Sequence, residues 1–365
     1  MSEGIADKIV RRIRAEGPLT VAAYMAMALH DPAGGYYARR DPIGAVGDFT
    51  TSPEISQIFG ELIGLWCAEL WERIGRPDPV LLAELGPGRG VLMSDLLRAA
   101  GTVPEFRRAL RIWLVEASPV LCAEQDTRLN QVQPAWVARV EELPGGPMLL
   151  VGNEFLDALP IRQFVRGAVG WSERMVAVDP EGHLVFVDGP ESRAASLLVP
   201  GSLRQGAPGT IAEICPAALM LAGTLGARFA HQPGAALFID YGYCATAPGP
   251  TLRALRHHRP VSAIAAPGTA DLSAHVDFAA FAEAARAAGA ETHGPVGQGR
   301  FLAALGAGMR LAALSARATS AQWRALESGV RRLLDPGGMG DLFKVLALVS
   351  PGLPPPAGFD TAGEP

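Results

Sequence analysis

VLLAELGPGRG, residues 80–90, runs into VLMSDLLRAA (91–100) and then RIWLVEA (111–117). An uncharged apolar run that ends on Glu84 and Leu85 has the length of a buried strand. The three glycines of Gly86-Pro87-Gly88-Arg89-Gly90 make a tight turn, and the apolar spacing from Val91 onward is helical. A second buried strand closes the unit at Glu116. The succession strand, glycine turn, helix, strand decides the fold class.

The same alternation recurs along the chain. WVARV (136–140), MLLVGNEF (148–155), TIAEI (210–214) and AALFIDYG (235–242) read as further strands, and DLFKVLALVS (341–350) as a closing one. The expected fold is therefore α/β, with a doubly wound, mostly parallel, Rossmann-like sheet whose ligands bind at the carboxyl ends of its strands. Residues 5–30 read as two helices separated by Gly17-Pro18, the second capped by Thr20. The stripe Phe59, Leu62, Ile63, Trp66, Leu70 marks a helix packed on the core, so Trp66 and Trp71 are packing residues. WSERMVAVDPEGHLVFVDGP (171–190) breaks the rhythm and reads as a β-hairpin turning at Asp179-Pro180-Glu181-Gly182. The resulting organisation is a helical N-terminal cap with a cofactor-closing loop (1–55), a core over 56–350 with insertions at about 162–208 and 243–276, and a disordered Pro- and Gly-rich tail (351–365).

Composition excludes several classes. The 365 residues carry a net charge of −5, against the strongly basic footprint that nucleic acid requires, so no nucleic-acid partner is expected. Only Lys8 and Lys344 of the 32 basic residues are lysines, which reflects composition rather than function. Four widely spaced cysteines, without a C-x-x-C pair, indicate neither a zinc site nor a disulfide framework. No apolar run is long enough to span a membrane. Arg11, Arg12 and Arg14 are flanked by Glu3, Asp7 and Glu16, unlike a transit peptide, and a reduced cytoplasmic setting is expected. His257, His258 and His275 fit no ligand spacing, so no metal is expected. Serine hydrolase chemistry has no support, since the serines lack a G-x-S-x-G elbow.

The glycine loop and the next acid describe a nucleoside site. Glycines allow backbone to approach a ligand, the helix N-terminus receives an anionic group, and Glu116 stands near the interval of about 20 residues at which a carboxylate grips ribose hydroxyls. Dinucleotide folds favour G-x-G-x-x-G. Here the loop is G-x-G-x-G preceded by Glu84, the form usual in methyltransferases, and no P-loop lysine follows. Glu84, Gly86, Pro87, Gly88, Gly90 and Glu116 are thus candidates for binding S-adenosyl-L-methionine. A nicotinamide-dependent oxidoreductase is disfavoured by the same spacing. NEFLDALP (153–160) follows an apolar strand, so Asn153, Glu154 and Asp157 should reach the same edge, the amide orienting a nucleophilic nitrogen and the carboxylates holding its cationic precursor. The alternative for Asp157 is a helix cap. Glu213 and Asp240 lie at the ends of two other expected strands and are further candidates for this catalytic mouth.

These blocks also carry a family resemblance. GGYYARRDPIGAVGDFTTSPEISQIFGEL (34–62), ELGPGRG (84–90), VEASP (115–119), NEFLDALP (153–160), IDYG (239–242), TADLSAHVDF (269–278), QGRFLAALG (298–306) and MGDLFKVL (339–346) resemble, in this order, the MidA family. Its members are methyltransferases related to the mitochondrial protein-arginine methyltransferase that assists assembly of respiratory complex I. The resemblance implies that the segment GDFTTSPEIS borders the cofactor, which adds Asp48, Thr51, Ser52 and Glu54 to the cofactor candidates. It implies a protein substrate, with an arginine of a complex I subunit as acceptor. The alternative is a non-catalytic assembly or binding factor that retains the methyltransferase fold.

Overall fold

The computed structural model describes residues 4–39 and 50–359. Their contacts divide into two compact units, one holding residues up to 39, 156–220 and 245–280, the other 50–155, 221–244 and 281–359.

The second unit is built on the strands expected around the glycine turn: β1 (Val80–Leu85), β2 (Leu110–Val115), β3 (Ala135–Val137), β4 (Met148–Asn153), β5 (Gly234–Tyr243), β6 (Glu291–Gly297) and β7 (Phe343–Val349). They lie in the order β6-β7-β5-β4-β1-β2-β3. The pairs β5–β4, β4–β1, β1–β2 and β2–β3 are parallel, whereas β7 runs antiparallel to both β5 and β6. The sheet is therefore mixed. β1 and β4 are buried along their whole length, which is why both read as apolar runs up to Glu84 and Asn153.

Helix Gln57–Arg73 carries the Phe59, Leu62, Ile63, Trp66, Leu70 stripe, and every one of these side chains is buried. It packs on helix Val91–Ala100, and Gly64 permits the approach: a Cβ there would stand 2.6 Å from the Leu96 carbonyl oxygen. Glu61, buried on the same helix, accepts from Arg98 Nε at 3.0 Å and Arg310 Nε at 2.7 Å, joining three helices.

In the first unit, helices Ile5–Glu16 and Val21–His30 form as read, with Thr20 Oγ1 accepting from the Ala23 amide. Buried Ile5, Ile9 and Ile13 recur at helical spacing and join a core with Tyr24, Val176 and Leu272. The hairpin is present, Trp171–Val178 pairing antiparallel with Leu184–Asp188.

TIAEI departs from the expected place. Ile211–Ile214 pairs antiparallel with Arg162–Arg166 in the first unit and is not a strand of the β1–β7 sheet. A short apolar run bounded by turns has the same appearance in either kind of sheet, and pairing alone separates them. The tail also departs from expectation: the described part of 351–365 reaches Phe359, whose ring is buried 5.3 Å from that of Phe301. Arg73 Nη1 also donates to the Pro354 and Pro355 carbonyls at 3.2 and 2.6 Å, and the Gly352 amide to Glu291 Oε1 at 2.9 Å.

Candidate functional site

Strand register brings the carboxyl ends of β1, β2, β4 and β5 into line. Leu85 is paired with Val115 and Gly152, and Asn153 with Ile239. Backbone bonds continue one residue further. The Gly86 amide donates to Val115 O at 3.1 Å, the Glu116 amide to Val137 O at 3.0 Å, and the Glu154 amide to Ile239 O at 2.8 Å. Gly86, Glu116, Asn153, Glu154 and Asp240 consequently sit on one edge.

Gly86, Gly88 and Gly90 have φ of 57°, 51° and 74°, the left-handed region in which a side chain is strained. At Gly86 there is also no room, since a Cβ would meet the Phe155 ring at 2.9 Å. Gly90 is the N-cap of helix Val91–Ala100 and has no side chain to satisfy the first amides, of which the Met93 amide is bonded to Glu84 instead.

Two buried acceptors at this edge lack partners among the described residues, Glu84 Oε2 and Asn153 Oδ1. Burial pushes the Glu84 carboxyl up to about 8, although the Met93 amide bonded to it works in the other direction. Unmet buried acceptors suit a ligand that brings hydrogen-bond donors and positive charge. Glu116 is half-buried, which raises its carboxyl, while bonds from the Ser118 and Ala117 amides and from Gln125 oppose the shift. An amino acid with a cationic ammonium joined to a nucleoside fits this donor and acceptor set.

Part of the segment that resemblance attached to the cofactor is tied to the same edge. Ser52, fully buried, donates its amide to Glu154 Oε1 at 2.8 Å and lies with Oγ 3.5 Å from Gln298 Oε1. Glu54 faces Arg89 of the glycine turn at 3.6 Å. Thr51 is the N-cap residue of the short helix Ser52–Ile55, without a side-chain cap bond. Asp48 lies outside the described residues.

The acceptor candidates separate. Asn153 donates Nδ2 to Glu154 Oε1 at 3.1 Å, and Glu154 holds a φ of 49°, costly for a residue with a side chain. Asp240 is buried on β5 opposite Lys344, and its Oδ1 accepts from the Tyr241 amide at 2.9 Å. Asp157 belongs to the first unit. It is buried in a turn, not at a helix cap, and its carbonyl accepts from the Ala274 amide at 3.0 Å. Tyr37 donates to Asp271 at 2.8 Å, and its phenol is raised by burial and by the charges of Asp271 and Asp157.

Glu213 is corrected. On its antiparallel strand it accepts from Gln163 Nε2 at 2.7 Å, from the Thr251 amide at 3.0 and 3.1 Å, and from Thr251 Oγ1 at 2.5 Å. A carboxylate surrounded by its own donors is a structural anchor, and the strand that carries it belongs to a different sheet from β1.

The sequence reading missed Gln125 and Trp136. Gln125 is fully buried on helix Pro119–Leu129, accepts from Trp136 Nε1 at 2.9 Å and donates to Gly88 O at 2.8 Å. Nothing in its spacing sets this glutamine apart from a surface one. Among the described residues no group of His, Cys, Asp or Glu could hold a metal ion, and no helix is long and apolar enough to cross a membrane.

A glycine turn flanked by a buried and a half-buried acid at the edge of such a sheet is shared with a known class. The chain belongs to the S-adenosyl-L-methionine-dependent methyltransferase family whose model matches residues 62–296. Its cofactor is S-adenosyl-L-methionine. The protein arginine methyltransferase NDUFAF7, mitochondrial, of Xenopus tropicalis is 34% identical over 98% of this chain and 90% of its own length. The protein of the same name from Mus musculus is 36% identical over 93% and 83%. A Burkholderia thailandensis protein solved with S-adenosyl-homocysteine bound superposes with a TM-score of 0.85 at 29% identity, covering 98% of this chain and 95% of that one. The curated relatives are named mitochondrial, which overturns the cytoplasmic setting inferred above. Cys67, Cys122, Cys215 and Cys244 are free, and free thiols do not single out a compartment.

Proposed function

We propose that this methyltransferase acts on an arginine of a protein acceptor. The observation that carries the reading is the pair Asn153–Glu154, an amide and a carboxylate held at the end of β4, next to the strand that leads into the glycine turn. The names of the curated relatives support arginine as the acceptor. The strand order, with β7 the reversed strand among β1–β7, supports reading the sheet as the doubly wound, Rossmann-like core of a class I methyltransferase.

When bound, S-adenosyl-L-methionine supplies a methyl group on a sulfonium, already activated for transfer. Glu116 holds ribose hydroxyls, the Gly86–Gly90 backbone with Pro87 admits the amino-acid portion closely, and Glu84 offers its unmet oxygen to the ammonium. Thr51, Ser52 and Glu54 border the same ligand. Glu154 attracts the guanidinium and aims one nitrogen, while the Asn153 amide orients it. Asp240 is proposed as a support on the strand next to β4. Transfer would form one nitrogen–carbon bond as the sulfur–carbon bond breaks, with S-adenosyl-homocysteine as the neutral leaving group, and the guanidinium, charged on arrival because its pKa exceeds about 12, would release one proton to water. The protein's share is alignment of nitrogen, carbon and sulfur. Following the family resemblance, the proposed acceptor is a subunit of respiratory complex I.

Mass spectrometry of host proteins with and without this gene tests the proposal. It expects at least one arginine peptide to lose mass, in steps of one methyl group, when the gene is deleted and to regain it on complementation. Methyl marks confined to another residue type would refute the arginine assignment. Tight binding of S-adenosyl-homocysteine with no mark lost anywhere would favour a non-catalytic assembly factor.

A further inference from the structure

Glu116 does not hold its own orientation. Its Oε1 accepts from the Ser118 amide at 2.8 Å, within the same turn, and its Oε2 accepts from Gln125 Nε2 at 3.3 Å. The same Nε2 donates to Gly88 O at 2.8 Å, so one amide nitrogen is bonded both to the middle of the glycine turn and to the acid at the end of β2. A primary amide nitrogen has two hydrogens, and both are used.

What settles which end of the amide faces them is Trp136. An indole N–H can only donate, and Trp136 Nε1 lies 2.9 Å from Gln125 Oε1. Were the amide flipped, two donors would face each other at that distance and two acceptors would lose theirs, in a residue with no exposed surface. The indole on β3 thus fixes the amide on helix Pro119–Leu129, and the amide fixes a carboxylate and a carbonyl on two different loops.

We propose that Gln125, locked by Trp136, is a positioning residue for cofactor recognition: it orients Glu116 toward the ribose and couples that acid to the glycine turn. The proposal rests on the reading of Glu116 as the ribose ligand. With the Ser118, Ala117 and Gln125 bonds in place, part of the carboxylate's acceptor capacity is taken and its plane is held, leaving the remainder for a ribose hydroxyl. Without Gln125 the side chain of this half-buried acid can turn about its terminal torsion, and the hydroxyl meets an acceptor that must first be ordered.

The test is the affinity of the full-length protein for S-adenosyl-homocysteine and for its 2′,3′-dideoxyribose analogue, by calorimetry. Wild type should prefer the ribose form by about 10- to 100-fold, as for a hydrogen bond to a charged group. Gln125→Met, close in volume but without an amide, should bring that preference to within about 3-fold by weakening the ribose form selectively. Trp136→Phe, which keeps the amide and removes only its lock, should reduce the preference part of the way. The double variant should match Gln125→Met alone, because the indole acts only through the amide. Equal weakening of both ligands, with the preference unchanged, would overturn the proposal by making Gln125 a packing residue. A wild type without preference would instead remove Glu116 from the ribose, and this proposal with it. If Gln125→Met does not fold, an unchanged preference in Trp136→Phe refutes the lock.

Discussion

Replacing Glu154 by glutamine separates the two roles this residue holds. Both the Ser52 amide, at 2.8 Å, and Asn153 Nδ2, at 3.1 Å, donate to its Oε1. An amide oxygen can take over both bonds, so Glu154→Gln should keep the Ser52 segment against β4 and leave cofactor affinity within about 3-fold of wild type. What the variant lacks is the negative charge. A charge-assisted bond to a guanidinium contributes about 1.5–3 kcal/mol, and its loss corresponds to about 10- to 150-fold in turnover at saturating cofactor. Glu154→Ala removes the shared acceptor as well and should weaken cofactor binding in addition. The assay is single-turnover methyl transfer to a verified protein acceptor, alongside calorimetric titration with S-adenosyl-homocysteine. Wild-type turnover in Glu154→Gln would refute the acceptor assignment. Loss of cofactor affinity in that variant, with wild-type turnover once the cofactor saturates, would make Glu154 part of the cofactor scaffold.

Three further outcomes follow from groups placed above. Burial raises Glu84 from 4.5 to about 8, so between these values the folded chain keeps a proton that the unfolded chain has released, and stability falls as pH rises through that window. Thermal unfolding of the ligand-free protein at about pH 5 and about pH 8 should show Glu84→Gln gaining on wild type at the higher pH, and parallel curves would contradict the buried-acid reading. Gly86→Ala meets both a φ of 57° and the Phe155 ring at 2.9 Å, so it should lower stability by at least about 1 kcal/mol and weaken cofactor binding. A denaturation midpoint equal to wild type would show that the turn relaxes freely. Glu61 is pushed up by burial and brought below its ordinary value by bonds from Arg310 and Arg98. Its contribution is present above the ordinary carboxylate range and lost as pH falls, so Glu61→Gln should cost about 1 kcal/mol near neutrality in urea unfolding, after discounting for the half-exposed arginines, and less near pH 4. An equal cost at both pH values would show that shape matters here and charge does not.

The glycine turn, its flanking strands and Glu116 were legible in the sequence because each is a local signal. A fully buried parallel strand must be an apolar run, a left-handed turn must use glycine, and an acid closing the next strand stands at a spacing set by one crossover helix. The capped helices and the hairpin at Asp179 are local in the same sense, since Thr20 and the Gly182 turn act within a few residues of themselves. Pairing is not local. TIAEI has the same apolar pattern whether it joins β5 or Arg162–Arg166, and only its antiparallel partner and the Thr251 donors show Glu213 to be an anchor. The reversal of β7 is equally silent in DLFKVLALVS, because strand direction leaves no mark on alternation. Gln125 and Trp136 are 11 residues apart on a helix and a strand. Neither type is unusual there, and their hydrogen bond arises only once β3 packs beside β2 and places an indole donor against a buried amide.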